Sequence, residues 1–174
     1  MKSFADARLS LDKYTSLLDV GCGRGQFIRW QGAIPVRVGI DVCKDALKFA
    51  ASKDVDHGVV FVQHNLIKLE ELFPYPAFEA VIGIDIIEHF DKDQGVELVK
   101  SCERIAQKCV LFFVPVGDHP QENCDPWGYG NEYYNAHRST WYPEDMERLG
   151  YEVWHWPQWH KDKGAAMWCQ KIKG

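Results

Sequence analysis

Residues able to do chemistry fall in a few short stretches of the 174-residue chain. A glycine turn lies in LLDVGCGRGQF (17–27), Asp41 ends VGID, Asn65 and Leu66 close FVQHNL, DIIEHF holds Asp85, Ile86, Glu88 and His89, and NAHRSTW holds His137. The turn reads Asp19, Gly21, Gly23, Gly25, a DxGxGxG spacing with Cys22 between the first two glycines. Glycines after an apolar run let a ligand approach the backbone closely, and the usual phosphate cradle reads GxGxxG, its third glycine packing a helix whose N-terminus faces a pyrophosphate. Here Gln26 stands at that third place. The Asp19 carboxylate under the turn would repel phosphate and favour a ligand with positive charge.

Asp41 follows Gly21 by twenty residues at the end of a second apolar run, with Val42 next to it. An acidic residue there can accept both hydroxyls of an adenosine ribose, a demand that nicotinamide and S-adenosyl cofactors share. The Asn65 amide can pair with an adenine amino edge while Leu66 flanks the ring; it can equally cap a helix. His89 and His137 are the imidazoles placed to take a proton near neutral pH. Either can instead be structural, His89 packed under a helix start and His137 anchoring a loop, and Glu88 can accept backbone amides at a helix N-terminus.

These groups need a scaffold, and the apolar runs supply one. SLLDV (16–20), VRVGID (36–41), VVFVQ (59–63), FEAVIGID (78–85) and CVLFFVP (109–115) are nearly continuous in Val, Ile and Leu, as strands covered on both faces are. GQFIRWQ, CKDALKFAAS and DKDQGVELVKSCERIAQK read as helices between them, the last with Asp91 as N-cap and Val96, Val99, Cys102 and Ile105 or Ala106 recurring every three or four residues. The strand–helix alternation predicts a doubly wound, mostly parallel α/β sheet. Residues 117–139 show neither period and read as a long functional loop. TWYPEDMERLG reads as a helix capped by Ser139 or Thr140 and stopped by Gly150, and YEVWHW and AAMWCQKIK as a closing antiparallel hairpin around PQWHKDKG.

In combination and in order, these pieces resemble the class I S-adenosylmethionine-dependent methyltransferases. LLDVGCGRGQF resembles their glycine-rich first motif, GIDVCKDAL the ribose-binding second strand, VIGIDIIEHF the fourth-strand motif of small-molecule enzymes, and HRSTWYPEDMERLGYEVW their penultimate helix and sixth strand. The resemblance implies a seven-stranded Rossmann-like sheet in one domain spanning 1–174, with 117–139 covering the substrate. It implies S-adenosylmethionine as cofactor, held by Asp19, Gly21, Cys22, Gly23, Asp41, Val42, Asn65, Leu66, Asp85 and Ile86. Asn65 departs from the aspartate of many members. The implied reaction moves a methyl group to an O or N atom of a small molecule, with His89 and His137 as catalytic candidates. Where methyltransferases of DNA bases carry paired prolines after the fourth strand, this chain reads DIIE.

Composition narrows the partners. Twenty basic against 25 acidic residues give a formal net charge of -5, without the basic footprint that a nucleic-acid backbone selects. No apolar stretch approaches the roughly 20 residues of a membrane helix, and MKSFADARLSLDK has no apolar signal core, so a cytoplasmic protein is expected. The six cysteines show no tight ligand spacing, so free thiols and no metal are expected. Six of the seven tryptophans lie in the last third; with Tyr129, Tyr133, Tyr134 and Tyr142, Trp127 and Trp141 either line an acceptor pocket or pin the loop to the sheet. An NAD(P)-dependent oxidoreductase and a noncatalytic S-adenosylmethionine-binding domain are the alternatives, and comparative cofactor binding distinguishes the first of them.

Overall fold

Nearly continuous apolar runs, covered on both faces, build the sheet. In the computed structural model, which describes residues 10–54, 58–160 and 164–174, the apolar runs form β1 (Ser16–Val20), β2 (Val36–Asp41), β3 (Val59–Gln63), β4 (Phe78–Ile84) and β5 (Ala106–Val116). They are followed by β6 (Glu152–His160) and β7 (Gly164–Ile172). The described residues form one seven-stranded sheet in the order β3-β2-β1-β4-β5-β7-β6. β1 to β5 are parallel, β7 is antiparallel to β5, and β6 is antiparallel to β7. Alternate residues feed two cores: Leu18, Val20, Val81, Val110, Phe112 and Val114 point to one side, while Leu17, Ala80, Ile82, Cys109, Leu111 and Phe113 point to the other.

The helices are α1 (Gln26–Arg29), α2 (Lys44–Lys53), α3 (Lys92–Ile105), α4 (Glu132–Asn135) and α5 (Pro143–Arg148). Two 3-10 segments, Leu66–Glu71 and Ile87–His89, sit at the exits of β3 and β4. α3 buries Leu98, Val99, Cys102 and Ile105. It stops at Ile105, and the AQK that follows belongs to β5, whose pairing with β4 begins at Ala106.

Two local expectations are corrected. α5 is capped at Tyr142, whose backbone N–H donates to Asp145 Oδ2 at 2.9 Å; Ser139 instead accepts from Trp141 Nε1 at 2.9 Å. Gly150 does end the helix, in the left-handed conformation with φ +84°. The residues PQW, expected in a loop, extend β6, with a register shift between Trp156 and His160. Residues 161–163 of the expected PQWHKDKG loop and most of MKSFADARLSLDK lie outside the described residues.

All six cysteines are free. No described helix is long and apolar enough to cross a membrane.

Candidate functional site

Strand order reverses between β1 and β4, since β1 is followed in space by β2 on one side and β4 on the other. Open α/β sheets bind ligands beyond the carboxyl ends of their strands at such a switch point. A cavity of about 1070 Å³ opens there. All ten residues expected to hold the cofactor line it: Asp19, Gly21, Cys22, Gly23, Asp41, Val42, Asn65, Leu66, Asp85 and Ile86.

The glycine turn is shaped by what a side chain would strike. Gly21 has φ +76°, and a Cβ there would lie 2.5 Å from Ile86 Cδ1. Gly23 has φ +51°, and a Cβ there would meet nothing within 4 Å, so it would stand in open space at the cavity wall. The turn is tied to the second strand by Asp41, whose Oδ2 accepts the Gly23 N–H at 2.8 Å and whose Oδ1 accepts the Cys43 N–H at 2.8 Å. Burial raises the Asp41 pKa despite these bonds. Asp19 lies deeper, and burial, reinforced by the charge of Asp41, pushes its pKa up to about 7.

Asn65 does what its capping alternative requires: its Oδ1 accepts the Ile67 N–H at 3.1 Å and caps the 3-10 segment. Its side chain borders the cavity as well. Asp85 adopts φ +47°, uncommon for a residue with a side chain. It lines the cavity, and desolvation by the surrounding protein raises its pKa.

The two histidines meet, although 47 residues separate them: their ring centroids are 5.0 Å apart. His89 lines the large cavity, whereas His137 lines a neighbouring one of about 180 Å³ beside Glu88 and His119. Burial lowers the His89 pKa to about 4, opposed by the Ala136 carbonyl and assisted by His137. Burial also lowers the His137 pKa. Both rings are therefore neutral at pH 7. Glu88 does not accept backbone amides with its carboxylate, as its helix-start reading supposed; its backbone carbonyl instead accepts the N–H groups of Arg138 and Ser139 and draws the end of the long loop onto the 3-10 segment.

Residues 117–139 are held to one another. His137 N–H donates to the Gln121 carbonyl, Gln121 Nε2 to Asn135 and Asn135 Nδ2 to Cys124, while Asp125 accepts from the N–H groups of Tyr129 and Gly130. The aromatic set divides between its two readings. Trp127, Tyr129, Tyr133 and Tyr134 line the cavity, whereas Trp141 is buried in the core and Tyr142 is exposed.

Other wall residues escaped the sequence reading. Arg24 places its guanidinium 3.4 Å above the Phe49 ring and 5.0 Å from that of Trp127, and Phe113, Trp159 and Trp168 close the far side. Strand parity could have found two of them. Phe113 pairs with Ile84, one residue before Asp85, and Trp168 pairs with Phe113.

A methyltransferase domain model matches residues 18–114, more than half of the chain and all of the glycine turn, Asp41, Asn65, Asp85 and His89. The chain belongs to the class I methyltransferase family. Solved structures share the fold of this methyltransferase at low identity. An S-adenosylmethionine-dependent methyltransferase from Mesorhizobium loti is 15% identical with a TM-score of 0.71, covering 97% of this chain and 95% of its own. A putative methyltransferase from Bacillus halodurans is 16% identical with a TM-score of 0.70, covering 99% and 97%. Magnesium protoporphyrin IX methyltransferase from Synechocystis, solved with S-adenosylmethionine, is 13% identical with a TM-score of 0.68, covering 98% and 74%. None of the curated proteins matches the chain. The methyltransferase is an S-adenosylmethionine-dependent enzyme, and the cavity fits that cofactor through the bare Gly23 backbone, the paired Asp41 acceptors and the buried carboxylate of Asp19.

Proposed function

We propose that the enzyme methylates an O or N atom of a small molecule held between the glycine-turn end of the cavity and the aromatic residues of 117–139. The observation that carries this reading is one continuous cavity with two chemically different walls: glycines and carboxylates on the first and second strands, and rings on the loop. Its volume of about 1070 Å³ lies at the upper end of ordinary ligand pockets, room enough for a cofactor with an acceptor beside it. A porphyrin methyltransferase among its structural neighbours accords with a flat acceptor against these rings.

The cofactor, when bound, supplies an electrophilic methyl group on a sulfonium, so no protein nucleophile is needed. The chain's own part is alignment, which can contribute roughly 7–11 kcal/mol when reactants are held in near-attack geometry. Gly21, Cys22 and Gly23 would lie against the amino-acid tail, with Asp19 balancing its positive charge. Asp41 and Val42 would hold the ribose, Asn65 and Leu66 the adenine, and Asp85 and Ile86 the wall beside the reacting end. Asp41 can do this without releasing the turn, because each carboxylate oxygen bonded to a backbone N–H keeps a second lone pair. His89 and His137 would act on the proton of the acceptor: His89 is neutral and faces the cavity, and His137 packs on its ring.

Residues 117–139 would cover the acceptor within a single domain spanning 1–174. The acidic balance and the lack of a basic footprint support a small molecule over nucleic acid and are consistent with a cytoplasmic enzyme. Titration calorimetry with S-adenosylmethionine and S-adenosylhomocysteine, followed by a screen of flat hydroxyl- and amine-bearing acceptors with labelled methyl donor, tests the proposal. Cofactor binding with methyl transfer to a macromolecule alone would overturn its small-molecule half.

A further inference from the structure

Outside the cofactor wall, Glu88, His89 and His137 converge, and one donor atom from each lies within 4.8 Å of the others. Glu88 and His89 come from the 3-10 segment after β4, and His137 from the end of the long loop. Glu88 is only 1% exposed, and among the described residues neither of its carboxylate oxygens has a hydrogen-bond partner. Leaving a buried carboxylate unpaired is costly, and the nearby charge of Asp85 adds to that cost. Such an arrangement asks for a cation.

The imidazoles are oriented to receive one. His137 Nδ1 lies 2.6 Å from the His119 carbonyl oxygen, and His89 Nδ1 lies 3.3 Å from that of Ala136. A carbonyl can only accept, so in the Nδ1–H tautomer both contacts are hydrogen bonds and each ring keeps its lone pair on Nε2. Metal-binding histidines are fixed in this way, with the far ring nitrogen donating to a backbone carbonyl.

We propose that Glu88, His89 and His137 form a binding site for a divalent transition-metal cation. Two imidazoles and one carboxylate suit Mn²⁺, Fe²⁺, Co²⁺ or Zn²⁺, whereas Mg²⁺ and Ca²⁺ prefer oxygen donors throughout. Bonds of about 2.1 Å in tetrahedral geometry set donors roughly 3.4 Å apart. Contraction from 4.8 Å needs side-chain rotation on the order of an ångström, and the two cavities beside the cluster leave room for it. Since His89 lines the large cavity and Glu88 and His137 the small one, the cation belongs in the wall between them, with open coordination positions for an acceptor oxygen. The absence of paired cysteines bears only on thiolate zinc sites and leaves this donor set untouched. The cation's role toward an acceptor rests on the proposed function: with both Nε2 lone pairs on the metal, the histidines would act on the acceptor proton through the bound cation and not as free bases; the site itself does not rest on that function.

The test uses the full chain, stripped with EDTA, freed of chelator and titrated with MnCl₂, ZnCl₂ or MgCl₂ by calorimetry, with the Mn²⁺ spin signal as a second readout. One equivalent of Mn²⁺ or Zn²⁺ should bind, and more tightly than Mg²⁺. Glu88→Gln and His137→Ala should each weaken it by roughly tenfold or more. Affinity of both variants for S-adenosylhomocysteine should stay within about threefold of the parent, since neither residue lines the cofactor wall. No binding of either metal, or unchanged affinity in the variants, overturns the site. Metal binding without any binding of S-adenosylhomocysteine would uphold the site and overturn the proposed function. Should Glu88→Gln fail to fold, His137→Ala at its half-buried position decides alone.

Discussion

Asp41 is the residue on which the cofactor assignment can be tested most sharply. In the free protein its carboxylate accepts two backbone N–H groups, from Gly23 and Cys43, both at 2.8 Å. Bonds to a charged acceptor contribute about 1.5–3 kcal/mol each, but burial raises the Asp41 pKa, so desolvation consumes part of that gain. Asp41→Ala should therefore cost the free protein only about 1–3 kcal/mol. The effect on the cofactor should be larger, because the two bonds that Asp41 is proposed to make to the ribose hydroxyls would be lost while the Gly23 and Cys43 amides are left unpaired. Taking the lower figure for each ribose bond gives about 3 kcal/mol, or roughly a hundredfold in Kd. Calorimetric titration of S-adenosylhomocysteine measures it at a temperature where circular dichroism shows the variant folded. Asp41→Asn, which keeps an acceptor without the charge, should fall between parent and Ala variant. A Kd for the folded Asp41→Ala protein within about threefold of the parent would refute the assignment of Asp41 to the ribose and remove the main anchor of the cofactor pose.

Asp19 makes a prediction with pH: its pKa is raised from 3.8 to about 7, so the folded state holds a proton that the unfolded state has released across that interval, and stability falls as pH rises from about 4 to about 7. At 1.36 kcal/mol per unit the loss is on the order of 4 kcal/mol, so Asp19→Asn should raise the Tm of the free protein at pH 8, change it little near pH 4 and weaken S-adenosylmethionine binding; a Tm–pH profile parallel to the parent's would contradict this. Gly21→Ala and Gly23→Ala should separate fold from site. The first drives a Cβ into Ile86 and should lower the Tm by several degrees, while the second should cost only about 1 kcal/mol but abolish measurable cofactor binding. Trp141→Ala, at 1% exposure, should cost about 3–5 kcal/mol, whereas Trp127→Ala, at 43% exposure, should cost under about 1 kcal/mol and instead change acceptor affinity; chemical denaturation distinguishes the two.

What could be read in the sequence was whatever depends on neighbours along the chain. The five parallel strands were legible because burial on both faces demands apolar runs, and the ten cavity residues through the family resemblance, whose motifs fall at strand ends and the turns after them. The cap of α5 was misread because Ser139 and Thr140 have the right chemistry at the wrong distance, and Ser139 is used by the Trp141 indole. Glu88, His89 and His137 resisted for a deeper reason. Their grouping depends on the loop returning to the 3-10 segment, through the Glu88 carbonyl taking the Arg138 and Ser139 amides and the Arg138 guanidinium reaching the carbonyls of His89 and Ala136. None of these acceptors is a side chain, so residue types alone could not announce the contact. The residue whose carbonyl holds the loop end also carries the buried carboxylate beside His137. A cation at Glu88 would therefore tighten the loop end as well as the acceptor wall, and Glu88→Gln in the stripped protein should leave the protease sensitivity of 117–139 unchanged while erasing the protection that Mn²⁺ gives the parent.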